Sequence, residues 1–375
     1  MSRKQAFTVP RSRAGQTHQA LRGEIQAALE PLLYGDARVG YAARARLESA
    51  FAATVGAKHA LAAHSGTVAL FLALKACELG AGDEVITVGN SDISTTGAIH
   101  QCGARAILCD VRAEDYTLDA GLVEALITER TRALLPVDIH GHPADVKALR
   151  EIATRHDLRI IEDAALATGA QDYGLPLGAF ADIAMFSFAP YKPLGSAGNG
   201  AMLVTDDATL AEKLRLLIGY GGSSALEGRQ DYVAEGYNAP LDPLQAALLL
   251  VKLPHLATWT ARRRQIVAAL EAGLAGTAAQ TPRFRSESSP TFRSYCIRVP
   301  EQERVHRGLR TAGIEAVIHY APPVYRYTVY TEAFKGRARL PVTDRLAKEI
   351  VNLPVTPELS DTQVEYMIEQ TRGLL

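Results

Sequence analysis

Lys192 stands where an amine can do covalent chemistry. An apolar run, Ala184-Met-Phe-Ser-Phe188, reads as a short strand that reaches a serine, Ser187. Lys192 follows five residues later, then the glycine-rich turn Leu194–Gly200, then a second apolar run, Ala201–Thr205. A lysine at the mouth of a sheet, with a small hydroxyl just before it, suits an imine to an aldehyde cofactor. Pyridoxal phosphate held as a Schiff base, with Ser187 helping to grip the phosphate, is the chemistry that fits. An isolated lysine beside a turn is ordinarily a solvated loop residue, and two upstream segments argue against that here.

In Arg159-Ile-Ile-Glu-Asp163, the isoleucines read as the end of a buried parallel strand, with Asp163 at its carboxyl end. Ligands of open α/β sheets bind at that edge. A carboxylate there can hold a pyridine nitrogen protonated, which keeps the ring able to accept electrons; the plainer role is a cap on the following turn. Further upstream, Ser65-Gly66-Thr67 separates a strand from an apolar helix. A helix N-terminus offers unpaired N–H groups to a phosphate, and glycine admits a close approach of the backbone. Alone this would be only an N-cap, but the three segments in this order are far more specific.

The elements that position these residues are legible as alternating patterns. Strands are predicted near 60–63, 84–88, 106–110, 133–137, 159–163, 183–188 and 201–205, with helices around 67–79, 119–126 and 144–156. That is the signature of a largely parallel seven-stranded sheet covered by helices. A long helical stretch over about 242–274, with Ala246, Leu249, Leu250, Leu253 and Leu256 on one face, should kink at Pro254. We divide the chain into an N-terminal arm with a large domain, 1–255, and a small C-terminal α/β domain, 256–375. Strands at 294–299 and 316–320 and helices at 303–312 and 362–372 are expected in the latter.

The 375 residues, 47% hydrophobic, allow a large core. A formal net charge of −1 points to neither nucleic acid nor an anionic membrane. The one tight basic run, Arg262-Arg263-Arg264, reads as a solvated helix face. The N-terminus has no secretory pattern, and the apolar stretch 246–251 is too short to span a bilayer. Four scattered cysteines fit reduced thiols, hence a cytoplasmic protein. His140-Gly-His142 lacks a nearby third ligand, so no metal is expected, and the pair reads instead as loop residues near the cofactor pocket.

The three chemical segments, together with Gly236-Tyr-Asn-Ala-Pro-Leu-Asp-Pro-Leu-Gln-Ala-Ala247, resemble the DegT/StrS family of fold-type-I, pyridoxal-phosphate-dependent sugar aminotransferases. The resemblance runs from about Leu33 to the C-terminus. Gly219–Ser223, Gly236–Ala247, Val251–Trp259 and the turn after Lys192 are similar to the branch that aminates carbon 3 of keto-sugars. The resemblance implies that Lys192 binds the cofactor and moves protons, with Asp163 on the pyridine nitrogen. It places Ser65, Gly66, Thr67 and Ser187 at the phosphate, and Asp92 and Leu166 beside the ring. Asn238 is implied to reach the phosphate of a neighbouring subunit, which makes a homodimer with shared active sites the minimum assembly. Tyr41, His319, Tyr320 and Tyr325 are implied to border the substrate, although packing is an equally fair reading of the last three.

The implied reaction moves an amine from glutamate or glutamine to a keto-sugar or keto-cyclitol through pyridoxamine phosphate. A nucleotide-linked, phosphorylated or free acceptor stays open. A sugar deaminase or a non-catalytic regulatory paralogue are the alternatives. Four positions depart from the family pattern: Asp92 replaces an aromatic ring, Leu166 and Thr168 replace a polar pair, and Asp138 replaces a histidine.

Overall fold

The computed structural model describes residues 7–36, 38–226, 229–336 and 338–375. Its centre is a seven-stranded sheet made of β1 (His59–Ala63), β2 (Glu84–Val88), β3 (Arg105–Cys109), β4 (Thr131–Leu134), β5 (Arg159–Asp163), β6 (Ile183–Ser187) and β7 (Ala201–Thr205), in the order β1-β7-β6-β5-β4-β2-β3. From β6 to β3 every neighbouring pair is parallel, and β7 alone runs against both its neighbours. β2, β6 and β7 are buried along their whole length, as expected of strands covered on both faces. All seven strands lie within about two residues of the predicted spans, except that β4 stops at Leu134. β2 has β3 on one side and β4 on the other, so the strand order reverses there and the carboxyl ends of β2, β4, β5 and β6 frame a topological switch point.

One core lies between the sheet and the helices Gly66–Ala76 and Val146–Arg155. A second joins Leu47, Phe51, Phe186, Phe188 and Leu249 on the opposite face. The predicted helices at 67–79, 119–126 and 144–156 appear as Gly66–Ala76, as Ala120–Val123 continued by a 3-10 turn to Leu126, and as Val146–Arg155. A helix at Ile93–Gln101 was not anticipated. Its serine, threonines and glycine are weak helix formers, so the segment reads as loop until its N-cap is recognised.

The long helical stretch breaks where Pro254 stands. Pro243–Lys252 gives way to a single 3-10 turn, Leu253–His255, before Leu256–Leu274. The arginine run on the last helix is not a solvated face. Arg263 is buried and donates to Pro193 O at 3.3 Å, while Arg262 and Arg264 reach the carbonyls of Leu359 and Pro290.

A third core holds Val9, Ile266, Leu270, Tyr295, Ile297, Val351, Leu353 and Met367. Here β8 (Ser294–Arg298) pairs antiparallel with β9 (Ile350–Pro354), and helices Gln302–Thr311 and Asp361–Gly373 fall where predicted. The strand expected at 316–320 does not form. Only Val317 bridges to Asn352, and the chain then turns into Pro322 and Pro323, which have no N–H to continue a ladder. Among the described residues no helix is long and apolar enough to cross a membrane.

Candidate active site

Asp163 closes β5 and is almost fully buried. Its Oδ2 accepts from Thr95 Oγ1 at 2.8 Å and its Oδ1 from the Ala165 N–H at 3.1 Å. Thr95 Oγ1 lies 2.9 Å from Ser91 Oγ, so a short hydroxyl chain fixes the carboxylate's orientation. Burial pushes the Asp163 carboxyl above its usual range; the Thr95 hydroxyl and the charge of Lys192 oppose that rise.

Lys192 lies in the turn after β6, where its N–H donates to Ala189 O at 2.9 Å. Burial pulls its ammonium down to about 8, against the pull of Asp163 in the other direction. The turn is held from behind. Lys252 Nζ donates to Gly195 O, Arg263 to Pro193 O, and Gln245 Oε1 accepts from Ala197 N at 2.9 Å and Gly198 N at 3.0 Å. Neither Lys252 nor Arg263 was anticipated as a support of this turn, because both lie some sixty residues or more beyond it in the chain.

The helix Gly66–Ala76 begins against the end of β6. Ser65 is its N-cap, and a methyl added at Gly66 would come 3.3 Å from both Ser187 Cβ and Oγ. The bare helix start and the Ser187 hydroxyl therefore face each other at close range, with N–H groups free for an anion.

Two cavities meet at Lys192. The first, about 250 Å³, is lined by Ser65, Gly66, Thr67, Asp163, Ser187 and Lys192, with Asp92, Leu166 and Asn199 at its margin. The second, about 270 Å³, shares Lys192, Asp92, Leu166 and Tyr320 and adds Arg11, His140, Arg293, His319 and Asn352. An amine between a buried carboxylate and a helix start, with a second chamber beyond it, matches the outline of pyridoxal phosphate: ring nitrogen at one end, phosphate at the other, aldehyde between.

A family model for the DegT/DnrJ/EryC1/StrS aminotransferases matches residues 19–372. The chain belongs to that family. It is 37% identical over 99% of its length, and 97% of the relative's, to the dTDP-3-amino-3,4,6-trideoxy-alpha-D-glucose transaminase of Streptomyces venezuelae. It is 34% identical to a pleiotropic regulatory protein of Geobacillus stearothermophilus, covering 97% and 98% of the two chains. Among solved structures, DesV of S. venezuelae in complex with a ketimine intermediate superposes with a TM-score of 0.91, at 36% identity and 97% and 98% coverage. The aminotransferase is thus a pyridoxal-phosphate enzyme of fold type I.

Most of the anticipated residues converge. Ser65, Gly66, Thr67, Asp92, Asp163, Leu166, Ser187 and Lys192 line the first cavity, His319 the second, and Tyr320 both. Asp92 is also the N-cap of Ile93–Gln101: its Oδ1 accepts from the Ser94 N–H at 2.9 Å and from the Ser94 hydroxyl. Its carboxylate is occupied in starting the helix that carries Thr95.

Three residues are not brought to these cavities. Tyr325 is buried elsewhere, its hydroxyl donating to Asp344 Oδ1 at 2.8 Å, so packing is its observed role. Tyr41 is 68% exposed, with Arg44 over its ring at 5.1 Å. Asn238 is exposed and bridges Gly219 through its backbone.

Of the departures, Asp138 lines neither cavity: its N–H donates to Asp163 O at 3.0 Å and its Oδ1 accepts from the Ala144 N–H at 2.8 Å. Thr168 is fully buried, its carbonyl accepting from Thr291 Oγ1 at 3.1 Å. His140 lies 3.2 Å from Asn352 Nδ2, and His142 contacts Asp115 O at 3.1 Å. Neither belongs to a metal-binding group among the described residues.

Sequence reading missed Thr95, Asn199, Arg293 and Asn352. Thr95 had a signal, three positions after a capping aspartate, and Asn199 stands in the glycine-rich turn that follows Lys192; Arg293 and Asn352 come from distant segments and had none.

Proposed function

We propose that this aminotransferase moves an amino group from glutamate or glutamine to carbon 3 of a nucleotide-linked keto-sugar. The observation that carries the proposal is the place of Lys192, on the wall common to two cavities and electrostatically coupled to Asp163. The sugar and the carbon follow the printed activity of the S. venezuelae relative, which aligns end to end.

The cofactor, when bound, supplies an aldehyde to accept the amine and a protonated ring to receive electrons. Asp163, held by Thr95 and the Ala165 N–H, stays ionised beside the pyridine nitrogen and keeps it positive. Ser65, Thr67, Ser187 and the N–H groups at Gly66 hold the phosphate. Lys192 would hold the aldehyde carbon covalently at rest and, when free, with its pKa pulled down toward neutrality, would carry a proton between the substrate carbon and the cofactor's C4′ carbon. In the second half-reaction the same transfers run in reverse on the keto-sugar. His319, brought down to about 4 by burial, offers a neutral wall at physiological pH, and Tyr320 lines both cavities.

We further propose a homodimer in which Asn238 completes the partner's phosphate site. Its exposure, and that of Tyr220, Tyr232, Val233 and Tyr237 around it, supports this reading.

The test is spectroscopic. The purified protein should show the absorbance of a lysine-bound cofactor. Glutamate or glutamine should convert it to the pyridoxamine form, and a 3-keto nucleotide sugar should restore it. A spectrum that no amino donor changes would favour a regulatory paralogue. Release of ammonia without amine acceptance would favour a deaminase.

A further inference from the structure

Arg293 lies one residue before β8, its N–H donating to His140 O at 2.8 Å. Its side chain lines the second cavity beside Lys192. The guanidinium makes no hydrogen bond or ion pair with any described residue. Its neighbour in the cavity, Arg11, is already neutralised: Nε is 3.4 Å from Glu315 Oε1, and its N–H donates to Oε2 at 3.0 Å. The remaining carboxylate, Asp92, is turned to Ser94. His140, His319, Tyr320 and Asn352 are neutral groups; burial holds both histidines well below their ordinary value. Lys192 has Asp163 as its counter-charge, so Arg293 is the cavity's cation without a hydrogen-bonded or ion-paired carboxylate among the described residues; burial together with Arg11 pulls its pKa down to about 10, against the more distant charge of Glu315. An anion would relieve that stress.

A guanidinium presents five donors in a planar fork that matches a carboxylate in two parallel bonds. The chamber is at the small end for ligand pockets, so its natural occupant is a small acid rather than a whole nucleotide sugar. We propose that Arg293 is the carboxylate-recognising residue of this enzyme, gripping the acid group of a substrate seated against Lys192. The inference rests on the transaminase reading above and adds the chemical class that the second cavity selects. The carboxylate is supplied either by the amino acid donor or by an acidic acceptor such as a 3-keto-uronate.

The experiment separates the two half-reactions. For the holoenzyme with glutamate, Arg293→Gln should raise the concentration giving half-maximal conversion by about 10- to 100-fold, the range for losing a charged hydrogen-bonded contact. Arg293→Lys, which keeps charge but not the fork, should fall between. Pyridoxamine-loaded enzyme is then mixed with a 3-keto-uronate and with the matching neutral 3-keto-hexose. A rise confined to glutamate assigns the site to the donor, and a rise confined to the uronate assigns it to the acceptor; either supports the proposal.

Calorimetry on the unmutated holoenzyme gives a reading independent of how the variants fold. Glutarate should bind and its neutral diamide, glutaramide, should not. The proposal is overturned if wild type does not distinguish those two, or if Arg293→Gln leaves both half-reactions within about twofold of wild type. Protein that shows no lysine-bound cofactor and no response to glutamate would overturn the transaminase reading itself, and the inference with it. A normal response to glutamate in wild type with an indifferent Arg293→Gln overturns the inference alone.

Discussion

Lys192 and Asp163 set each other's protonation, and that coupling is measurable before any turnover. Only the neutral amine attacks an aldehyde, and its fraction grows as pH rises through the lysine pKa. With that value near 8, cofactor uptake by the apoprotein should speed up with pH and be half-maximal near pH 8, well below the ~10.4 of a free lysine. Asp163 holds the value up, so Asp163→Asn should move the midpoint lower still; a midpoint that does not move would show the two groups to be uncoupled. The linkage has a matching sign. Between the folded and unfolded pKa values the unfolded chain binds more protons, so apoprotein stability due to this group rises with pH across that window. Lys192→Ala should lower turnover by at least about 10²-fold, with an unchanged circular dichroism spectrum. These two residues were readable from sequence because Asp163 closes a strand and Lys192 follows one within a turn, and a strand's carboxyl end is where ligands of such a sheet bind.

At the scale of elements, the helix Ile93–Gln101 links the cofactor ring site to the fold. Asp92 starts it, and one turn later Thr95 bonds Asp163. Asp92→Ala should destabilise the protein by about 1 kcal/mol through the lost cap. It should also weaken cofactor retention by loosening Thr95. Asp92→Asn, which can still accept from Ser94, should spare both. Urea unfolding and cofactor release by dialysis check the pair; equal losses in the two variants would mean that the carboxylate's charge matters rather than its cap. The sheet strands were legible because each is a stretch of four or five residues with at least two consecutive apolar ones, bounded by turns. β9 was not, since Asn352 interrupts Ile350-Val-Asn-Leu-Pro354. That same asparagine bonds the His319 N–H at 2.9 Å and takes the pairing that the 316–320 segment was expected to make as a strand.

At the scale of the molecule, the proposed shared site makes a prediction that one subunit cannot meet. Asn238→Ala should weaken cofactor binding by about 10-fold or more, as loss of a bond to a charged phosphate does. Mixing Lys192→Ala and Asn238→Ala subunits should recover up to half of the wild-type activity. Only a mixed dimer holds one site with both an intact lysine and an intact asparagine. Size measurement by light scattering gives the assembly, and absence of recovery in confirmed mixed dimers would place Asn238 outside the partner's site.

By itself the sequence determined the kind of chemistry and the layered α/β plan. Lys192, Asp163 and Ser65-Gly66-Thr67 each sit within a local pattern of strand end or helix start that chain-neighbour physics imposes. Only the tertiary structure decided what surrounds them. Arg293 and Asn352 reach the second cavity, Lys252 and Arg263 brace the lysine's turn, and Tyr325 goes to Asp344 instead. Apart from Tyr325 and Asp344, those placements join segments about sixty to more than two hundred residues apart, through packing of separate cores that leaves no period or spacing in the chain.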